Sequence, residues 1–184
     1  MWDQEKYMFS LMNTTDDLPK QTPPSSFAQK LYGFLPTVEK ALVALLAMSL
    51  LAKYINIDAK PLFLVSLSGL AGVYYLGSFR PLGIERKVGE KLGFKDLFGF
   101  TLAPKILGIS SAILIIGLLF FLQELPRDRY IFLLMIGNEG IVLALVGLGL
   151  ARMTGTEHLE VLSPILLRAV PLLIIGGYIF WMNY

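Results

Sequence analysis

The strongest constraint in this sequence is where charge is missing. No Asp, Glu, Lys or Arg occurs from Pro61 to Phe79, or from Ile106 to Gln123. Tyr130 to Ala151 holds one charge, Glu139, and Val161 to Tyr184 holds one, Arg168. Each run matches the roughly 17–25 residues a helix needs to cross the hydrocarbon core. Such runs cannot stand as lone strands in lipid, because helices satisfy their backbone internally and open sheet edges do not.

A further apolar segment is shorter. Between Lys40 and Lys53 the charge-free run is only Ala41 to Ala52, and a run of about 10–14 residues is more often a re-entrant or core helix. Apolar flanks extend it on both sides (Phe34, Leu35 and Val38; Tyr54, Ile55 and Ile57), and lysines near helix ends can snorkel to the interface. The distribution of basic residues arbitrates. Five spans place twelve Lys and Arg on the N-terminal side and four on the other, whereas four spans, without the first, place eight on each. Membrane proteins bias these residues to the cytoplasmic side. The expectation is therefore an all-α integral membrane protein of five transmembrane helices, with four as the alternative. The spans fall at about 36–56, 61–79, 105–123, 130–151 and 163–182, in a transmembrane domain over 34–184. The N-terminus is cytoplasmic and the C-terminus outside, in a cell (inner or plasma) membrane. Tyr74, Tyr75 and Phe79 at one end, and Tyr178, Phe180, Trp181 and Tyr184 at the other, suit the aromatic belts of the two interfaces.

Residues 1–33 read as a cytoplasmic polar tail. Tyr7 to Met12 is a short apolar patch, and Pro19, Pro23 and Pro24 keep Asp16 to Ser25 from being helical throughout. Ser26 and Gln29 form a capping box ahead of a helix leading into the first span. No secretory signal precedes the first apolar run, which would serve as an uncleaved anchor. The Asn13-Thr14-Thr15 sequon on such a tail is a chance match. The loop 80–104 carries Ile84, Val88 and Leu92 at four-residue spacing with mixed charges on the other faces. This is a short interfacial amphipathic helix against anionic headgroups.

Composition narrows the chemistry. With no cysteine and one histidine, His158, thiolate nucleophiles, thiolate metal sites and bis-histidine haem are excluded. A net charge of +2 gives no case for nucleic acid. No Walker-type GxxxxGK[ST] and no HExxH is present. Glu157-His158-Leu159-Glu160 is a solvated loop, not a metal site, since adjacent residues rarely close a ligand set. No internal repeat is visible. No cofactor and no catalytic residue is expected.

The fourth span holds the most information. Gly137, Gly140, Ala144, Gly147 and Ala151 recur at three- and four-residue spacing and so share one stripe. Small residues on one face allow close backbone approach, which drives helix association in lipid. Ser68 with Gly72, and Gly108 with Ala112, are weaker stripes on candidate partner helices within the chain. Asn138 and Glu139 lie off the stripe, Asn138 about 150° and Glu139 about 110° from its centre. Glu139 is near the bilayer middle, about 13 Å along the helix from Tyr130. A carboxylate there is a candidate polar site, either joining two helices or moving a proton or cation. Arg168 stands near the cytoplasmic start of the fifth span. Glu39 matches its depth and is the expected ion partner, a lipid phosphate being the alternative. Pro171 is expected to kink that span.

These features point to a non-catalytic membrane subunit or scaffold of a larger complex, contacting lipids and other membrane subunits, with homo-oligomers also allowed. The alternative is a small proton, ion or solute transporter or channel component built on Asn138 and Glu139.

Overall fold

The computed structural model describes residues 26–80, 101–153 and 163–183. The tail patch and sequon, the interfacial helix of 80–104 beyond Arg80 up to Phe100, and Glu157 to Glu160 lie outside the described residues. The chain separates into two units, Met1–Gly33 and Phe34–Tyr184. Of the first, Ser26 onward is helical. The second holds the helical bundle.

Among the described residues five helices follow in order: α1 (Ser26–Tyr54), α2 (Lys60–Gly77), α3 (Ala103–Leu122), α4 (Arg127–Met153) and α5 (Ser163–Asn183). No strand occurs among the described residues. Four of the helices (α1, α3, α4 and α5) are long and apolar enough to cross a membrane. Here the structure differs from the charge spacing, which makes the first span the weakest. α1 is a single helix of 29 residues that includes Pro36, Lys40 and Lys53. The short helix expected before the first span is its opening part, because one proline removes one backbone hydrogen bond without ending a long helix. The helix outside this set is α2, long enough at 18 residues but less apolar, since it includes Lys60, Pro61, Tyr74 and Tyr75.

The helix ends show why the turns fall where they do. α2 and α3 each carry proline in the first turn, where the missing N–H leaves no bond unmade. Lys60 N–H donates to Asp58 Oδ1 at 3.1 Å. α1 and α3 end alike. Asn56 (φ 59°) and Glu124 (φ 58°) take the left-handed conformation. The next N–H reaches back over the turn, Ile57 to the Ala52 carbonyl and Leu125 to the Phe120 carbonyl. These are Schellman caps, which satisfy otherwise orphaned carbonyls. In α4, Asp128 in the first turn and Arg152 in the last complement the helix dipole.

Contacts at the ends fix the directions. Lys60 Nζ lies 3.1 Å from Glu124 Oε2, and Gln123 Nε2 donates to the Lys60 carbonyl, so α2 begins where α3 ends. At the other end Gly108 of α3 lies against Ser78, just past the end of α2. Tyr130 donates through its hydroxyl to Asn183 Oδ1 at 3.3 Å, joining the start of α4 to the end of α5. Each of these neighbouring pairs is therefore antiparallel.

α3 is the central helix. It packs against α2, α4 and α5, and α4 packs against α5. In its span 56% of residues are buried, against 11% in α1 and in α5. One face of α3 (Leu107, Leu114, Leu118) meets Leu134, Ile141 and Ala144 of α4 and Ala169 of α5. The other (Ala112, Ile115, Leu119) meets Phe63, Leu67 and Leu70 of α2, with Leu42 and Leu46 of α1 packed at its margin.

The small-residue stripe of α4 has its partner in α3. A Cβ on Gly137 would stand 2.7 Å from Leu114 Cβ, and one on Gly140 would stand 2.9 Å from Ser110 Cβ and collide with its hydroxyl. Ala144 is fully buried in the same cluster; Gly147 is half-buried and Ala151 continues the helix. The weaker stripes go elsewhere. Gly108 approaches α2, Gly72 has nothing within 4 Å, and exposed Ser68 bonds to the Leu64 carbonyl of its own helix. The reason is that α3 carries two distinct faces, and Gly108 with Ala112 belongs to the one turned to α2.

α5 continues through Pro171 to Asn183. Pro171 has no N–H, so the carbonyl one turn earlier loses its usual donor, a defect that helices tolerate when neighbours compensate.

Candidate functional site

Polar side chains in the helices are few, so each can be followed. Arg168 sits in the second turn of α5, and Glu39 lies one turn beyond Pro36 in α1. Arg168 Nη2 and Glu39 Oε2 are 3.0 Å apart. The side chains differ in exposure, 46% for Arg168 and 12% for Glu39. The carboxylate is enclosed, and the guanidinium is the group that neutralises it.

The pair lines a cavity of about 410 Å³ at the end of the bundle where α2 finishes and α3 and α5 begin. Tyr74, Ser78, Arg80 and Ser111 also line it. Ser78 is committed, its hydroxyl donating to the Tyr75 carbonyl at 2.6 Å. Ser111 is buried and faces the cavity from α3. Two guanidiniums, one carboxylate and hydroxyl-bearing walls make a site suited to holding an anion. Among the described residues no group of three His, Cys, Asp or Glu could hold a metal ion. Sequence alone points to Glu39 and Arg168 but leaves Arg80 as one loop charge among several. The signal that could have found it is depth: Arg80 follows the end of α2 and lines the cavity together with Pro104 and Pro164 from the first turns of α3 and α5.

Asn138 and Glu139 are elsewhere, and neither lines this cavity. Glu139 is exposed and Asn138 is half-buried, with its Oδ1 enclosed and without a hydrogen-bond partner. The stripe of glycines is not the centre of the buried face. The buried residues of α4 are Tyr130, Leu134, Gly137, Ile141, Ala144 and Leu148. At about 100° per residue their centre is rotated about 65° from that of the small-residue stripe. Glycine marks where α3 comes closest; the large apolar residues mark the wedge between α3 and α5. Relative to that centre Asn138 lies about 75° to the side and Glu139 about 175° away, directly outward.

Glu139 shares that outer face with Phe132, Leu143, Val146 and Leu150, all exposed. It forms no ion pair or hydrogen bond with any described residue. It stands about 18–20 Å along the helix from Arg127 at one end and from Arg152 at the other.

No protein-family model, curated protein or solved structure matches this chain. The helices themselves define its class: the described residues are helical throughout their regular structure, and four of these helices are long and apolar enough to cross a membrane.

Proposed function

We propose that the chain is a non-catalytic subunit of a membrane protein complex, spanning a cell membrane five times with its N-terminus cytoplasmic, and that the outer face of α4 holds a partner subunit. The observation that carries this is Glu139. A carboxylate at mid-depth on a lipid-facing surface costs several kcal/mol unless it is paired or protonated. Its own chain supplies no partner among the described residues. A cation, hydroxyl or amide donor on a neighbouring subunit removes that cost, and Phe132, Leu143, Val146 and Leu150 supply the apolar surround. The loose packing of α1 and α5 leaves further apolar surface for lipid and neighbours.

Five spans are supported by the antiparallel run of α2 along the full length of α3. Its 18 residues reach about 27 Å, close to the ~30 Å hydrocarbon core. The twelve-to-four bias of basic residues sets the orientation. The chain has no cysteine, so single cysteines label cleanly. K60C and R80C are expected to react with a membrane-impermeant maleimide from opposite sides of sealed vesicles. Reaction from the same side removes α2 from the set of spans.

The test of function is native electrophoresis of the chain extracted in mild detergent from its own membrane, with mass spectrometry of the band. The wild type migrates with a partner, and E139L releases it while the protein keeps its unfolding temperature. A wild-type chain that runs alone refutes the reading. The transport alternative draws on the same carboxylate only if copies of the chain surround it. Unchanged proton or cation flux in folded E139Q eliminates it.

A further inference from the structure

The cavity at the Glu39–Arg168 pair does not depend on Glu139 or on any partner subunit. Two arginines, Arg80 and Arg168, line it against one carboxylate, Glu39, leaving an excess positive charge. The first turns of α3 and α5 border it through Pro104 and Pro164. These helices have 20 and 21 residues, and helix N-termini add partial positive charge. Arg168 is half-exposed although it is paired, so part of its five-donor fork stays free for a second anion. Leu35, Val73 and Ile165 supply apolar wall to the same cavity. The volume, about 410 Å³, is that of a small-molecule pocket. Beside it the exposed Tyr75 and Phe79 stack edge to face at 5.3 Å, the kind of aromatic anchor found at headgroup depth.

We propose that this cavity binds a phosphate group, and that the phosphate is that of an acidic glycerophospholipid. Arg80 and Arg168 hold the phosphate oxygens, for which planar guanidiniums have matched geometry. The glycerol and the first methylenes of the acyl chains lie on Leu35, Val73 and Ile165. Glu39 acts as a positioning residue, fixing the guanidinium of Arg168 across the cavity and disfavouring ligands that place a second carboxylate beside it.

The experiment uses the full chain in a nonionic detergent. Lipid adducts are counted by native mass spectrometry and the unfolding midpoint is followed by tryptophan fluorescence. The titrants are dioleoylphosphatidylglycerol, dioleoylphosphatidylcholine and glycerol 3-phosphate. Phosphatidylglycerol is expected to bind at least tenfold tighter than phosphatidylcholine and to raise the midpoint. R80Q leaves the Glu39–Arg168 pair in place, so its midpoint without lipid should match the wild type. Its affinity for phosphatidylglycerol should fall about tenfold, the size of one charge-assisted contact, and R80K should recover most of it. Glycerol 3-phosphate matching the lipid at equal concentration would uphold the phosphate site and assign it to a soluble ligand. Equal binding of the two lipids, or unchanged phosphatidylglycerol affinity in R80Q, overturns the proposal.

Discussion

The same substitution, glycine to alanine in a helix, should change stability in opposite directions at two positions of this protein. In a helix interior alanine is normally favoured over glycine by roughly 0.5–1 kcal/mol, because glycine loses more backbone entropy on folding. Gly72 of α2 is exposed, and nothing stands within 4 Å of an added Cβ. Gly72→Ala is therefore expected to stabilise by about that amount. Gly137 of α4 is buried, and its added Cβ would meet Leu114 Cβ at 2.7 Å and the Leu114 Cα and N at 2.9 Å. Carbon atoms sit comfortably about 3.5–4.0 Å apart, and two of these contacts are backbone, which no rotamer change relieves. To restore that spacing, α3 and α4 would have to separate by about 1 Å in the middle of the Leu114–Leu134–Ile141 cluster. Overpacking of this kind costs about 1–3 kcal/mol, which exceeds the propensity gain. The expected result is a loss of about 1–2 kcal/mol for Gly137→Ala, and so a gap of about 2–3 kcal/mol between the two variants. Equilibrium unfolding in mixed detergent and SDS micelles, read by tryptophan fluorescence, measures both. If Gly137→Ala is as stable as the wild type, the close approach of α3 and α4 at Leu114 is wrong.

The Glu39–Arg168 pair should be asymmetric under truncation. Arg168→Gln strands an enclosed carboxylate and is expected to cost about 2–3 kcal/mol, while Glu39→Gln leaves a half-exposed guanidinium able to reach water and should cost about 1 kcal/mol. The double variant should recover about 1 kcal/mol relative to the sum of the two; additive losses in the same unfolding assay would show that the side chains are not coupled. Glu124→Gly places the residue with least steric cost at a left-handed cap, so it should stabilise by about 0.5–1 kcal/mol. The exposed Lys60 contact it removes is worth little, and a raised unfolding midpoint is the readout. Asn138→Leu replaces an enclosed amide whose oxygen has no hydrogen-bond partner. It is expected to be neutral or stabilising by about 1 kcal/mol, and a loss in the unfolding assay would mean the amide is satisfied in the folded protein.

The helix ends were legible because charge is expensive in hydrocarbon and therefore collects at the ends. Lys60, Arg80, Arg127 and Arg152 each sit within a few residues of an observed terminus. The exception is instructive. Lys40 and Lys53 make α1 look short, yet a lysine stem can cover apolar surface while its head reaches outward, so charge spacing underestimates a helix whose outer face is exposed along its length. Gly137 and Gly140 in the small-residue stripe of α4 lie where α3 comes close, but the stripe does not give the direction of burial. Burial follows side-chain volume, and Leu134, Ile141 and Leu148 lie to one side of the glycines. That rotation of about 65° depends on where α5 packs, and the spacing within α4 alone does not contain it.

The rotation also decides what Glu139 can do. Had the glycine stripe been the centre of the buried face, Asn138 would have pointed outward, and Glu139 would have stood at its flank, within reach of a neighbouring helix of its own chain. With the observed face the two exchange roles. Asn138 turns partly inward, and the carboxylate stands on the far side of α4 among Phe132, Leu143 and Val146. Beyond Asp128 in the first turn of α4, the spanning helices carry two described carboxylates, Glu39 and Glu139, in different settings. Glu39 is neutralised inside the chain by Arg168, which stands in the second turn of α5. Glu139, more than three turns from either end of its helix, is too deep for any snorkelling cation of its own helix to reach. On the reading proposed above, its compensating group comes from a second polypeptide lying along α4. An affinity that depends on one polar contact in apolar surroundings also gives register, since sliding the partner by one helical turn, about 5.4 Å, would break that contact.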